Sequence, residues 1–183
     1  MKSLDYLDVK NNALDKSLLK PAQKGLKGIR EWFLYQEVLA KIQQAKTHKQ
    51  AVLDISNFRL KVIPKEVFDL VELKVLIIGK NYEEKEDTSL QNHIGDIPKS
   101  ILKLSKLEEL YAVSNNLSVL LKEIDQLKEL RILDISKNNI KELPASIGNI
   151  EKLEYEIKGR PKSVYSIFNK INCCNDILQF CFF

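Results

Sequence analysis

The chain has 183 residues, 44% of them hydrophobic and 30% charged, which is typical of a soluble globular protein with one sizeable core. Its net charge of +4 is unevenly distributed: residues 1–49 carry ten Lys/Arg against five Asp/Glu, and residues 50–157 carry fifteen against nineteen. A mildly acidic middle between basic ends argues against the long basic surface of a nucleic-acid-binding protein. The first twenty residues carry seven charges and lack the apolar core of a signal peptide.

The first 28 residues contain one short motif. The stretch LDYLDVKNNAL at residues 4–14 matches LRILDISKNNI at residues 130–140 in its aliphatic positions and in one Asn. Polar residues then occupy the places where a full motif needs aliphatics. Two interpretations stay open: a half-repeat left from a longer array, or a helix over residues 4–19 whose leucines imitate the motif. We expect residues 1–28 to be weakly ordered.

An amphipathic helix is predicted over residues 29–49. Leu34, Val38, Leu39 and Ile42 recur at helical spacing, which places them on one face. The helix directly precedes a repeating segment, and the first unit of a stacked array exposes an apolar end. We therefore interpret the helix as a cap, with a helix that docks onto a partner as the alternative.

Residues 50–157 contain a motif that returns at a fixed step. Its form is LxxLxLxxNxLxxLPxxIxxLxx, and its first position recurs at Gln50, Leu73, Leu107 and Leu130. The step is 23 residues except from Leu73 to Leu107, which is 34, so about eleven residues are inserted in the second unit. We place the insertion at about residues 82–93, after Asn81. Four units in register predict one stacked array.

Each unit is predicted to contain one short strand and one turn. The alternation in LxL makes a strand whose aliphatics point into the core, and these pairs are Leu53/Ile55, Leu76/Ile78, Leu110/Ala112 and Leu133/Ile135. The turn after the strand leaves backbone groups unpaired, and an Asn amide can both donate to them and accept from them. We predict a structural ladder of Asn81, Asn115 and Asn138, with Phe58 at this place in the first unit.

The 23-residue motif with its Pro resembles the Ras-suppressor-like class of leucine-rich repeats. This resemblance implies an α/β fold, a short solenoid with a parallel concave sheet, helical or irregular convex limbs and an N-terminal capping helix. The stretch AKIQQAKTHKQAVLDISNFRLKVIPKEVF resembles the start of repeat arrays attached to bacterial Roco-type GTPases. The GTPase residues of that family are absent from the printed sequence, so no nucleotide site is carried over. Proteins of the Ras-suppressor-like kind are scaffolds that bind through the concave strand face, which implies a protein partner.

The concave face can be read from the residues that flank the inward aliphatics, because they point outward and align across units. One predicted column is Val52, Val75, Glu109 and Ile132. The next column is Asp54, Ile77, Tyr111 and Asp134, and the third is Ser56, Gly79, Val113 and Ser136. Apolar side chains among acids are typical of an interface with a polar rim, although strand propensity also explains Val and Ile. We predict that the first two columns and Val113 bind a partner.

Residues 158–183 form a tail that departs from the repeat pattern. All three cysteines lie there, as Cys173, Cys174 and Cys181, without the spacing or His partners of a zinc site, so we predict no metal and no cofactor. A disulfide framework would spread its cysteines through the fold, which favours a reduced, cytoplasmic protein. Charges and Asn interrupt the apolar stretch of the tail, so no membrane span is predicted.

Catalytic motifs are not found in the sequence. GKN at residues 79–81 lacks the Gly and the hydroxyl of a phosphate-binding loop, and EEKED at residues 83–87 lacks the spaced ligands of a calcium loop. We interpret the chain as a non-enzymatic module that binds a protein, and expect no nucleic-acid partner. Two alternatives stay open: the repeat head of a Roco-type GTPase lacking its catalytic part, and a decayed fragment of a longer repeat protein.

Overall fold

The computed structural model describes residues 16–80 and 89–154. Within these ranges two helices, α1 (Lys16–Gln23) and α2 (Gly25–Thr47), precede four short strands. The strands are β1 (Val52–Asp54), β2 (Val75–Gly79), β3 (Glu109–Ala112) and β4 (Ile132–Asp134). They form one parallel sheet in the order β1-β2-β3-β4, as the repeat pattern predicts.

Each strand is followed by a turn and a 3₁₀ helix, which bring the chain back to start the next parallel strand. We number the units 1 to 4 by their strands; their 3₁₀ helices are Lys65–Asp69, Lys99–Lys103, Ile124–Gln126 and Ala145–Asn149. The three longer helices begin directly after Pro64, Pro98 and Pro144, whose fixed φ suits the entry to a helix. Unit 3 has Leu121 at this place, and its 3₁₀ helix is shorter. The predicted helical return limbs are confirmed.

The core lies between the sheet and the return limbs. The predicted inward aliphatics of all four strands are buried, and Leu76 and Leu110 in the middle strands are fully so. They pack in one continuous cluster with side chains of the return limbs, such as Ile101 and Ile124. Burying a Leu or Ile side chain stabilises a fold by about 1.5–3 kcal/mol. Since each unit shares this cluster with its neighbours, the four units fold as one array.

Helix α2 covers the open end of the array, as the cap interpretation predicts. Val38, Ile42 and Ala45 are buried in the same core cluster, and α2 contacts both β1 and the first 3₁₀ helix. Lys41 lies over the ring of Phe58, with 5.6 Å from its Nζ to the ring centroid. The cap therefore seals the first unit with apolar side chains on its inner face.

Two expectations about the N-terminal region need correction. The cap helix extends over Gly25–Thr47 rather than residues 29–49. Residues 16–28, expected to be weakly ordered, belong to α1, to α2 and to the turn at Lys24 between them. A Cβ on Gly28 would lie 2.2 Å from the carbonyl oxygen of Pro21, so Gly28 lets the two helices approach closely. The half-repeat at residues 4–14 lies outside the described residues.

The insertion of unit 2 precedes the turn asparagine instead of following it. Asn92 takes the ladder position of this unit through bonds described below. Asn81, the predicted ladder residue, lies outside the described residues. The end of the insertion is held on both sides. The backbone N–H of Arg59 in unit 1 donates to the Leu90 carbonyl at 2.9 Å, and the Gln91 side chain donates to the Ser114 carbonyl in unit 3.

Deleting residues 81–91 restores the 23-residue step and is expected to leave a folded array. Halving a loop lowers its entropic cost of closure by only about 0.6 kcal/mol. This gain offsets part of the stability that is lost with the hydrogen bonds of Leu90 and Gln91, which are partly exposed. We expect a cooperative melt by circular dichroism, with a Tm change below about 4 °C, the upper shift that 1 kcal/mol produces in a domain of roughly 150–250 residues. A chain that no longer melts cooperatively would show that the insertion is structural.

Candidate functional site

The concave face consists of two columns of outward-facing side chains that run across the four strands. The strand register places Val52 opposite Val75, Val75 opposite Glu109, and Glu109 opposite Ile132. The second column is Asp54, Ile77, Tyr111 and Asp134, again paired strand to strand. The first two of the three predicted columns therefore exist as geometry, and their binding role stays a prediction.

The columns present a contiguous apolar patch in the middle of the sheet. Val75, Ile77, Tyr111 and Ile132 are half-buried, and Val52 at the edge is 51% exposed. Neighbouring strands lie about 4.8 Å apart, so these side chains are adjacent and form one patch that faces solvent. Such a patch, held on a rigid sheet, can receive an apolar side chain from another protein.

Tyr111 lies on β3, one of the two central strands, and its orientation is set by a hydrogen bond. Its hydroxyl donates to Glu109 Oε2 at 2.9 Å, across two residues of the same strand. The ring is thus tied to its own strand, and the strand register places Ile77 opposite Tyr111 in the column. A ring placed in this way loses little side-chain entropy when a partner binds.

Two predicted binding residues, Asp134 and Val113, are buried. Asp134 is only 9% exposed, and its Oδ1 accepts a hydrogen bond from the backbone N–H of Ser136 at 3.0 Å, so it stabilises the turn after β4. Asp54 makes the same bond to Ser56 at 2.9 Å but is exposed. Asp134 is therefore a structural residue, and its assignment to the binding face is corrected.

Val113 is 1% exposed, and its assignment to the concave face is also wrong. Strand β3 ends at Ala112, and the alternation of inward and outward side chains holds only within a strand. Beyond it the chain turns at Ser114, which has φ of 53°, and the register shifts so that Gly79 pairs with Ala112. A Cβ on Gly79 would lie 2.0 Å from the Val113 carbonyl oxygen, so the turn packs directly on the end of β2.

A ladder of asparagines connects the turns of successive units. The Nδ2 of Asn115 donates to the carbonyls of Ile78, Ala112 and Val113, and its Oδ1 accepts from the N–H of Ile94 at 3.0 Å. Asn138 makes the equivalent bonds one unit further on, so two of the three predicted ladder residues have the predicted role.

Asn92 is the ladder residue that the sequence analysis missed. Its Nδ2 donates to the carbonyls of Ile55 and Ile78 at 2.7 and 2.9 Å, and its Oδ1 accepts from the N–H groups of Phe58 and Leu60. It is fully buried. The signal was present in the sequence, since Asn92 stands two residues before Ile94 in the same way as Asn115 stands before Leu117.

Two columns of charged side chains, here called the charge columns, run beside the concave face. Positive and negative charges alternate along each column, and the two columns carry opposite signs at each level. The outer charge column is Glu72, Lys106, Glu129 and Lys152, and the inner one is Lys74, Glu108, Arg131 and Glu154. Ion pairs join neighbouring units, for example Lys74–Glu108 at 2.7 Å and Arg131–Glu154 at 3.0 Å. The hydrogen bond from Lys74 lowers the pKa of the Glu108 carboxyl.

These pairs are exposed, and each one contributes little to stability. Their alternation nonetheless favours the native order of the units, since a slip by one unit would bring like charges together. The flanking charges are therefore partnered within the array.

Metal sites and membrane-spanning helices are two further features that the described residues can be tested for. Residues 16–80 and 89–154 contain no cluster of three His, Cys, Asp or Glu side chains that could hold a metal ion. In the described part of the chain, no helix has the length and hydrophobicity needed to cross a bilayer. The three cysteines lie outside the described residues.

Comparison with known proteins finds similarity to a known repeat family. The leucine-rich repeat family model matches residues 129–150, which cover most of unit 4. A Ras guanine nucleotide exchange factor V from Dictyostelium discoideum is 37% identical over 103 residues, which is 54% of this chain and 5% of that protein.

Two solved structures are also similar. The plant peptide hormone receptor RGFR1 in complex with RGF2 is 34% identical, with 56% of this chain and 15% of the receptor covered and a TM-score of 0.46. The leucine-rich-repeat ectodomain of the receptor kinase SOBIR1 from Arabidopsis thaliana is 26% identical, with 58% and 56% covered and a TM-score of 0.41. The matched part is less than two thirds of each of these proteins and only one twentieth of the exchange factor.

Proposed function

We propose that this chain, a leucine-rich repeat protein, is a module that binds a protein partner through its concave face and has no catalytic activity of its own. The observation that carries the proposal is the apolar patch around Tyr111, formed by outward side chains of neighbouring strands. A soluble surface does not need apolar side chains in register across a rigid sheet, whereas an interface does.

The contrast with the charge columns supports this assignment. Beside the patch, the charged side chains of successive units pair with one another, as Lys74 does with Glu108. The half-buried Ile77 and Ile132 on the face itself have solvent on their outer side. Covering such side chains contributes roughly 25 cal/mol per Å² of apolar area, which is the main favourable term in protein association.

The name of the Dictyostelium protein describes an exchange factor for Ras, and the similarity covers a small part of it. We propose that the array here serves recognition, in a cytoplasmic setting, and that any GTPase chemistry would belong to another segment or another chain. The resemblance to Roco-type arrays stays a prediction.

Truncating Tyr111 is expected to weaken binding strongly while the array stays folded. Tyr111→Ala removes the aromatic anchor at the centre of the face, and such anchors commonly contribute at least ~2 kcal/mol, or about thirtyfold in Kd. The measurement is the Kd of a partner captured from the source cell, with the fold checked by circular dichroism. The control is Lys128→Ala at an exposed position away from the columns.

A folded Tyr111→Ala chain that binds as well as the parent, together with an impaired Lys128→Ala chain, would contradict concave-face binding. Recognition would then belong to the return-limb side.

A further inference from the structure

The charges that remain exposed on the concave face are all acidic. Among the eight positions of the two columns, the charged residues are Asp54, Glu109 and Asp134, and Asp134 is buried. The basic residues of the surrounding surface lie outside the two columns. A partner therefore meets apolar side chains together with two carboxylates and no cation in these columns.

Within residues 16–80 and 89–154, neither Asp54 nor Glu109 forms an ion pair. Two cations adjoin the Glu109 column in sequence, Lys74 and Arg131, and both are paired with other carboxylates. Lys74 pairs with Glu108 at 2.7 Å, and the Nε and Nη2 of Arg131 donate to the two carboxylate oxygens of Glu154 at 3.2 and 3.0 Å. After these Glu154 contacts, the Glu109 charge is a lesser cause that raises the pKa of Arg131, so it acts on Arg131 without a direct ion pair. The pattern separates charges that hold the array together from charges that stay available on the face.

Glu109 is placed where a partner's cation would matter most. It lies on β3 between Val75 and Ile132 of its own column, and the Tyr111 hydroxyl holds one of its carboxylate oxygens. A partner that covers the apolar patch would also remove water from around this half-buried carboxylate. An uncompensated carboxylate is costly in that setting, and a Lys or Arg opposite it removes the cost.

We propose that the partner is a protein segment that presents a Lys or Arg to Glu109 and apolar side chains to the patch of Val75, Ile77, Tyr111 and Ile132. This inference rests on the proposed function. The Glu109 and Tyr111 positions are two residues apart on one strand, about 7 Å, so one short segment can reach both. Acidic segments and nucleic-acid phosphates would be repelled by the same carboxylates.

A random 12-residue peptide display library is the probe. It is selected on the full chain, and enriched peptides are synthesised and their Kd values measured by fluorescence polarisation. We expect enriched peptides to carry a Lys or Arg among apolar residues. Glu109→Gln, which keeps an acceptor for the Tyr111 hydroxyl, should weaken them about tenfold or more, as loss of a hydrogen bond to a charged group does. Lys128→Ala should leave the Kd unchanged.

A peptide in which the Lys or Arg is replaced by Met completes the cycle. It should bind the parent chain more weakly than the unmodified peptide does, and Glu109→Gln at least as tightly as the parent, because only the parent then covers a carboxylate that has no cation opposite it. Binding of the unmodified peptide should also weaken as salt is raised, while binding of the Met peptide should not.

The outcomes separate this inference from the proposed function. Peptides that are acidic or uncharged, weakened by Tyr111→Ala but indifferent to Glu109→Gln, would overturn the cationic partner and leave concave-face binding standing. Peptides indifferent to both substitutions would overturn both proposals. If selection on the parent chain enriches no peptide that binds it better than it binds the Tyr111→Ala chain, both proposals would be overturned as well.

Discussion

Replacing Asn92 by alanine is expected to destabilise the array by at least about 3 kcal/mol, since each buried backbone group left without a partner costs about 1–3 kcal/mol. Three such groups depend on this fully buried amide: the carbonyl of Ile55 and the N–H groups of Phe58 and Leu60. The Ile78 carbonyl, which also accepts from Asn92, keeps a second donor in the Nδ2 of Asn115 at 3.2 Å. Water that enters the space can satisfy part of them. The loss is still a large fraction of the roughly 5–15 kcal/mol that stabilises a typical domain.

The matched control is Asn81→Ala, which removes the same amide from the other Asn that fits the repeat. Because Asn92 occupies the ladder, we expect this change to alter the free energy of unfolding by less than about 0.5 kcal/mol, the usual range for changes away from such features. Urea unfolding of the two variants measures both values. The reverse order of stabilities would show that Asn81 is the ladder residue and that the insertion follows it.

Introducing a charge at Leu110 is expected to unfold the chain. Leu110 is fully buried on β3 at the centre of the core cluster. Leu110→Asp removes core contacts that are worth about 2–5 kcal/mol when Leu is cut to Ala, and adds the cost of burying a carboxyl group. Together these exceed or match the stability of a typical domain.

Tyr111→Asp, at the next position, tests whether the effect of a charge depends on the side of the sheet that the side chain faces. The alternative is that any charge in β3 unfolds the array. Tyr111 is half-buried and faces outward, so its carboxylate would remain hydrated and the array should still fold. Thermal melts followed by circular dichroism distinguish the two. If both variants melt at the same temperature, the assignment of inward and outward residues in β3 is wrong.

The binding face depends on the devices that fix the stack. The asparagine ladder joins the turn of each unit to the one before it, and the charge columns join the starts of the strands. Between these two sets of contacts the strands have little freedom to shift. The positions of Ile77 and Tyr111 relative to each other are therefore set before a partner arrives, which lowers the entropic cost of binding.

The sequence by itself determined the repeat, the inward aliphatics and the two columns of the concave face. The physical reason is local geometry: successive side chains of a strand point to opposite sides, and a constant 23-residue step brings equal positions into register. Leu76, Leu110 and their counterparts are buried for this reason, and Val75, Glu109 and Ile132 line up as predicted. The cap helix was also visible in the sequence, because its buried face repeats at helical spacing.

Only the tertiary structure decided which asparagine joins the ladder and which outward residues stay exposed. Removing residues 81–91 or residues 82–92 leaves the same sequence, so the repeat pattern fits Asn81 and Asn92 equally well. The choice depends on hydrogen bonds to the backbone of the preceding unit, which form between residues more than thirty positions apart. Val113 and Asp134 became buried for a related reason: where a strand ends, and how the chain turns there, is set by contacts between units and not by the alternation within one.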